Sequence, residues 1–221
     1  MDQVSFLEQL ISKGLKGIAL DIDETISDTG IDFFSRLLKE FPIVGNPTPK
    51  ELIQTYKFTE AVPEWQTEEA KRFMNEYRTS NKIQRTIQVM PGATEGVKSI
   101  HSDLIPVIAY ITARPTIVTR GTEQWLNDNR FPQATVITRP DNIPHAQANL
   151  WKASVLYYLR NQVLGIVDDN QGLQTELPDK YEGKVFLFGI QPQEVDLSKA
   201  LRIPTWQEAY QIVKEHNPLQ Q

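Results

Sequence analysis

The run Gly17–Leu20, GIAL, leads directly into Asp21-Ile22-Asp23-Glu24-Thr25. A short apolar stretch bounded by glycine and ending in charge reads as a strand buried on both faces, as in parallel sheets covered by helices. Similar runs recur at Ile105–Ile111, Ala134–Ile137, Val163–Val167 and Lys184–Ile190. Helical patterns separate them, near Thr94–His101, Ile117–Asn127, Asn149–Arg160 and Trp206–Lys214. Strands alternating with helices predict an α/β fold with a mostly parallel sheet flanked by helices.

One stretch breaks the rhythm. From about Ile31 to Gln88 the pattern gives helices at Ile31–Phe41, Pro49–Tyr56 and Glu64–Tyr77, and no strand. Pro42, Pro47, Pro49 and Pro63 divide it into short pieces. An insert of this size is too long for an ordinary strand-to-helix loop. Residues 29–88 are therefore expected to form a small helical cap, with 1–28 and 89–221 making the α/β core. The plainer alternative is an extra helical layer without a lid function. A short amphipathic helix is expected at Ser5–Ser12.

Composition removes several classes of function. The chain has 221 residues, a formal net charge of -5 and no cysteine. Disulfides, thiolate catalysis and cysteine zinc sites are thus excluded. The acidic balance argues against a broad basic surface for nucleic acid. His101, His145 and His216 lie far apart and show no metal-ligand spacing. The N-terminus lacks a basic segment followed by a long apolar one, and no apolar run approaches the roughly 20 residues that cross a bilayer. The expectation is a cytoplasmic protein with no membrane partner.

In parallel α/β sheets, ligands sit beyond the carboxyl ends of the strands. The first expected strand ends in Asp21 and Asp23, the second in Thr112-Ala113-Arg114-Pro115, and the fourth in Asp168-Asp169-Asn170. Alternation along an extended strand would put the Asp21 and Asp23 side chains on one side, where two carboxylates repel. Asp168 and Asp169 add to that repulsion. A hard divalent cation with oxygen ligands relieves it, whereas a helix-capping role explains either pair alone but not both together.

These residues resemble the motifs of the haloacid dehalogenase superfamily. DIDET, residues 21–25, is similar to the DxDxT signature of its phosphatases. Thr112 after VIAYI resembles the second motif, Lys152 in KASVLYYLR the third, and Asp168-Asp169 in GIVDDN the fourth. MPGATEGVKSI, residues 90–100, is similar to the helix that precedes the second-motif strand in many members.

The resemblance implies a Rossmann-like core and a magnesium-dependent phosphatase acting on a small phosphorylated metabolite. Asp21 would be the nucleophile and would form an aspartyl-phosphate. Asp23 would act as general acid and then base. Relatives that cleave carbon–halogen bonds typically lack that second aspartate. Mg2+ would be held by Asp21, the Asp23 backbone carbonyl, and Asp168 or Asp169. Thr112, Ala113 and Lys152 would bind the phosphoryl group, with Arg114 and Arg139 as alternatives for the second cation. Thr25 would fix the loop after Asp23, and Glu24 would face solvent or the cap without a chemical role. His145 and Trp151 flank Lys152 and are candidates for packing or pocket lining. Tyr56, Lys57, Trp65 and Arg72 are candidates for cap residues that select the leaving group.

Three other readings share much of this pattern. A phosphomutase would pass the phosphoryl group to a sugar hydroxyl. A protein or nucleic-acid end phosphatase would need a more open site. A binding protein of the same fold would have lost activity, against which stand the filled motif positions.

Overall fold

The computed structural model describes residues 14–189 and 200–217, with Glu8, Ile11, Ser12 and Leu219 besides. The helix expected at Ser5–Ser12 falls largely outside the described residues. Six parallel strands form one sheet in the order β3-β2-β1-β4-β5-β6. They are β1 Gly17–Leu20, β2 Val107–Pro115, β3 Thr135–Arg139, β4 Val163–Asp168, β5 Lys184–Phe188 and β6 Ala200–Ile203.

The apolar runs become central strands because their alternate residues feed two different cores. Ile18 and Leu20 of β1, Tyr110 of β2, Val167 of β4 and Phe186 of β5 face one layer. That layer is built by helices Ala93–Asp103 and Trp206–Glu215 and by Trp125 and Leu126 of Thr119–Asp128. Ala19, Ile111, Ile166 and Leu187 face the opposite layer, which includes Ala148–Tyr158 and Leu173 of Gly172–Glu176. Burial on both faces explains why period-two polarity is absent from these strands.

The stretch without strands folds as helices around a third cluster of its own. Its helices are α1 Thr29–Glu40, α2 Pro49–Tyr56, α3 Glu68–Thr79 and α4 Asn81–Gln84. In chain order the remaining helices are α5 Ala93–Asp103, α6 Thr119–Asp128, α7 Ala148–Tyr158, α8 Gly172–Glu176 and α9 Trp206–Glu215. Phe34, Leu37, Leu52, Trp65, Met74 and Tyr77 are buried in the insert's cluster. Local signals set the helix starts. Thr48 and Glu51 close a capping box with Pro49 in the first turn of α2, and Thr67 accepts from Ala70 N at the start of α3. The Thr67 cap, after a 3-10 turn at Pro63–Trp65, is why α3 begins at Glu68 instead of Glu64.

The insert leaves and re-enters the sheet at one place. Asp28 N donates to Gln88 O and Met90 N to Ile26 O, both at 2.9 Å, and Ser27 bridges antiparallel to Val89. At its far end the insert docks on α6. Asn81 accepts from Gly121 N at 2.6 Å and donates to Ile117 O at 2.9 Å.

Candidate active site

Neighbouring strands β1 and β4 are separated by the order reversal of the sheet, the position where a crevice opens beyond the strand ends. Asp21 follows β1 directly and its N–H donates to Val167 O at 2.8 Å. Asp168 closes β4. Asp21, Asp168 and Asp169 each offer a carboxylate oxygen, and these atoms lie within 4.8 Å of one another.

Lys152 comes to this cluster from the first turns of α7, on the face of the sheet opposite α5 and α9. Its buried ammonium lies 2.6 Å from Asp168 Oδ2 and 3.0 Å from Asp21 Oδ1. Burial works against its charge, but Asp168 and Asp21 outweigh it and hold the lysine protonated well above the ordinary range. Burial pushes Asp21 up to about 7; Lys152 opposes the rise, and Asp168 and Asp23 add to it. Asp169 is also raised, by burial and then by Asp168 and Asp21. Three crowded carboxylates need more positive charge than one lysine supplies. The donor set is all oxygen, which fits Mg2+.

The two acids of the fourth motif are not equivalent. Asp168 uses one oxygen for Lys152 and the other for Asn170 N at 2.9 Å. Asp169 accepts from Thr25 Oγ1 at 3.4 Å, so Thr25 links the first-motif loop to the acid cluster. Trp206 Nε1 holds the same loop by donating to Thr25 O at 2.8 Å. Beside Asp169 and Glu24 opens a cavity of about 500 Å³, lined also by Met90, Phe188 and Trp206.

Asp23 departs from the expectation of two carboxylates sharing one ion. β1 ends at Leu20, and the chain turns through Glu24, whose φ is 56°. The Asp23 carboxylate points to β2, where Arg114 Nη2 lies 2.7 Å from Oδ1 and Nε donates at 3.0 Å. Thr29 Oγ1 adds a 2.6 Å bond to the same oxygen. Burial alone would raise Asp23, but Arg114, supported by Thr29, brings it below the usual range. Its repulsion is thus relieved by a guanidinium. Arg114 is two residues beyond Thr112 on one strand, a spacing that shares a face, and this was the available signal for its partnership.

Thr112 is fully buried, and its Oγ1 accepts from Arg114 N at 3.3 Å. Ala113 O accepts from Arg139 Nε at 3.0 Å. Glu24 faces the insert, one of the two places expected for it, and also lines the cavity beside Asp169. Its carboxylate turns back to accept from Gly30 N in the first turn of α1. Burial raises it to about 7, with the Gly30 N–H opposing. Trp151 packs in the core beneath α7. Trp65 lies inside the insert's own cluster, donating to Phe41 O at 3.0 Å, and so cannot touch a leaving group.

Comparisons with known proteins bear on this arrangement. The family described as PITM 1-3, LNS2 domain matches residues 72–169, less than half of the chain. No curated protein matches it. A HAD-superfamily hydrolase of subfamily IA from Geobacter sulfurreducens superposes with a TM-score of 0.54 at 16% identity, covering 90% of this chain and 97% of the other. A HAD-hydrolase from Bacillus subtilis, solved bound to magnesium, gives 0.53 at 14% identity, covering 90% and 98%. L-2-haloacid dehalogenase from Xanthobacter autotrophicus, with chloropropionic acid covalently bound, gives 0.51 at 14%, again covering 90% and 98%. Among the described residues, no helix is long and apolar enough to cross a membrane. Strand order, the acids at the sheet reversal and these superpositions agree that the chain has the fold of the haloacid dehalogenase superfamily hydrolases.

Proposed function

We propose that the chain is a magnesium-dependent phosphomonoesterase with Asp21 as nucleophile. The observation that carries this reading is the buried Asp21 carboxylate at the sheet reversal, 3.0 Å from Lys152 and within ligating reach of Asp168 and Asp169. An oxygen of Asp21 attacks the phosphorus of a small phosphorylated substrate, and the bond to the leaving oxygen breaks. Asp23, which Arg114 holds ionised in the free site, takes up a proton as the substrate enters and passes it to that oxygen. It then takes one from the water that attacks the aspartyl-phosphate, and inorganic phosphate leaves with Asp21 restored.

Lys152 offsets charge on the transferring group, while the Thr112 hydroxyl and the backbone around Ala113 orient it. Asp21, Asp169 and the Asp23 carbonyl would hold Mg2+, which supplies positive charge to the phosphate oxygens. Asp168, both of whose oxygens are engaged, serves to place Lys152. Three carboxylates, one ammonium and a divalent ion leave the pocket near neutrality, and Arg114 removes Asp23 from the balance.

A second acid on the leaving-group side suits an oxygen that must be protonated, which favours phosphorus over carbon–halogen chemistry. The insert, joined to Asp23 through Thr29, serves as the cap that excludes bulk water. The test is phosphate release from p-nitrophenyl phosphate with Mg2+, with chelator, and with Asp21→Asn. Metal-dependent turnover that vanishes in the variant supports the reading. Turnover that persists undiminished in Asp21→Asn removes the aspartyl nucleophile.

A further inference from the structure

The insert meets the core at a second place, where α4 packs against α6. Asn81 fixes that junction through its bonds with Gly121 N and Ile117 O. Between α4, with the turn that follows it, and α6 opens a groove of about 530 Å³. Its walls are Asn81, Lys82, Arg85 and Thr86 on the insert, and Arg120 and Gln124 on the core. Every lining residue is polar, three are cations and none is an acid. In a chain whose formal net charge is -5, that is a local concentration of positive charge.

Little nearby cancels it. Arg85 pairs with Asp128 at 3.0 Å, but their side chains are 48% and 49% exposed, a setting in which an ion pair contributes little. Among the described residues, neither Lys82 nor Arg120 has a carboxylate within ion-pair distance. Arg36 reaches the rim by donating to Thr86 Oγ1 at 2.8 Å, and Asp32 already balances it. Glu123, the other acid of α6, does not line the groove. Three cations against Asp128 leave two positive charges in excess.

We propose that this groove binds a soluble diphosphate, held by Lys82 and Arg85 of the insert on one wall and by Arg120 and Gln124 of the core on the other. Two guanidiniums present forks that match phosphate oxygens, and the Gln124 amide supplies further donors beside them. The groove is larger than one phosphate fills, and its excess charge suits a ligand with several negative oxygens. No aromatic side chain lines it, so nothing there stacks on a base and recognition rests on the anion. Asp128 gives up Arg85 at little cost. Because the walls belong to the insert and to the core, the bound anion ties one to the other beside the Asn81–Gly121 contact. The groove shares no residue with the acid cluster and stands whether or not Asp21 is a nucleophile.

The test is calorimetry with inorganic pyrophosphate on the metal-free full chain at physiological salt. Without metal, three carboxylates against one lysine repel anions from the strand ends. One equivalent of pyrophosphate binds, and inorganic phosphate binds about tenfold more weakly. Lys82→Gln together with Arg120→Gln weakens pyrophosphate about tenfold. Asp128→Asn removes the competing carboxylate and tightens it about twofold to threefold, a gain that a damaged fold does not mimic. Absence of saturable binding, several equivalents bound, or an affinity that neither exchange alters overturns the site.

Discussion

Arg114 grips Asp23 through two nitrogens: Nε lies 3.0 and 3.3 Å from the two carboxylate oxygens, and Nη2 lies 2.7 Å from Oδ1. The guanidinium is itself held by Ser27 at 3.1 Å and lies 5.7 Å from the centre of the Trp125 ring. Asp23 is thus aimed by a buried and supported partner. Lysine keeps the charge but not the fork, so Arg114→Lys is expected to lower kcat by about 100-fold through misplacement of Asp23. KM for p-nitrophenyl phosphate should move far less. Steady-state kinetics on the folded variant checks this, and an unchanged kcat would show that Asp23 needs no such hold.

Lys152→Met should be costly for the fold as well as for turnover. It leaves Asp21 and Asp168 facing each other in a buried site, with side chains 7% and 0% exposed. Removing one partner of a buried ion pair typically costs about 3–5 kcal/mol. Urea unfolding without metal reads the loss directly. A change under about 1 kcal/mol would mean that the two acids take up protons without strain.

Metal should stabilise the chelated protein. Magnesium at a hundred times its Kd adds about 2.7 kcal/mol, a rise in Tm of about 5–10 °C for a chain of this size. The rise should also depend on pH. Burial raises Asp21 to about 7 in the folded protein, above an unfolded value of about 4. Its protonated form therefore stabilises the metal-free fold at low pH, and that contribution is lost as pH rises through about 7. Magnesium binds the ionised cluster, so the shift should grow between pH 5 and 8. Thermal scans with and without chelator test this, and Asp169→Asn should remove most of the shift.

The docking of the insert on α6 is tight enough for one methyl group to disturb it. A Cβ on Gly121 would sit 2.5 Å from Asn81 O and 2.7 Å from Asn81 Cα. Backbone has to move to admit it, at a cost of about 1–3 kcal/mol. The helix propensity of alanine offsets up to about 1 kcal/mol of that. Gly121→Ala is therefore expected to lower Tm, and a rise would show that Asn81 yields freely.

Much of this was legible from the chain alone because the central strands are uninterrupted apolar runs and because Pro49 and the Thr48–Glu51 pair mark a helix start. That DIDET and Lys152 come together was legible too, since strand ends and helix starts can be placed from local pattern. β6 was not foreseen: ALRI carries Arg202 and pairs with β5 alone, at the sheet edge, so no continuous apolar run announces it. The five-residue α8 is too short to show a period. β2 runs on to Pro115, past the expected Ile111, because pairing with β3 carries Thr112 onto Thr138 and, beyond a register shift, Pro115 onto Arg139. Glu24 depends on where the insert passes, which no local pattern records. Arg114 lay between these cases, with its position readable and its partner not.

The bond from Asp28 N to Gln88 O makes the doorway of the insert a single hydrogen bond wide. A short turn can bridge a gap that narrow without disturbing the sheet. Residues 29–87 are in this sense a replaceable plug. Another sequence spliced between the same posts would meet the same Asp21, Lys152 and acids. Selectivity and chemistry can therefore diverge on separate schedules, one by exchange at the doorway and the other by substitution beneath it.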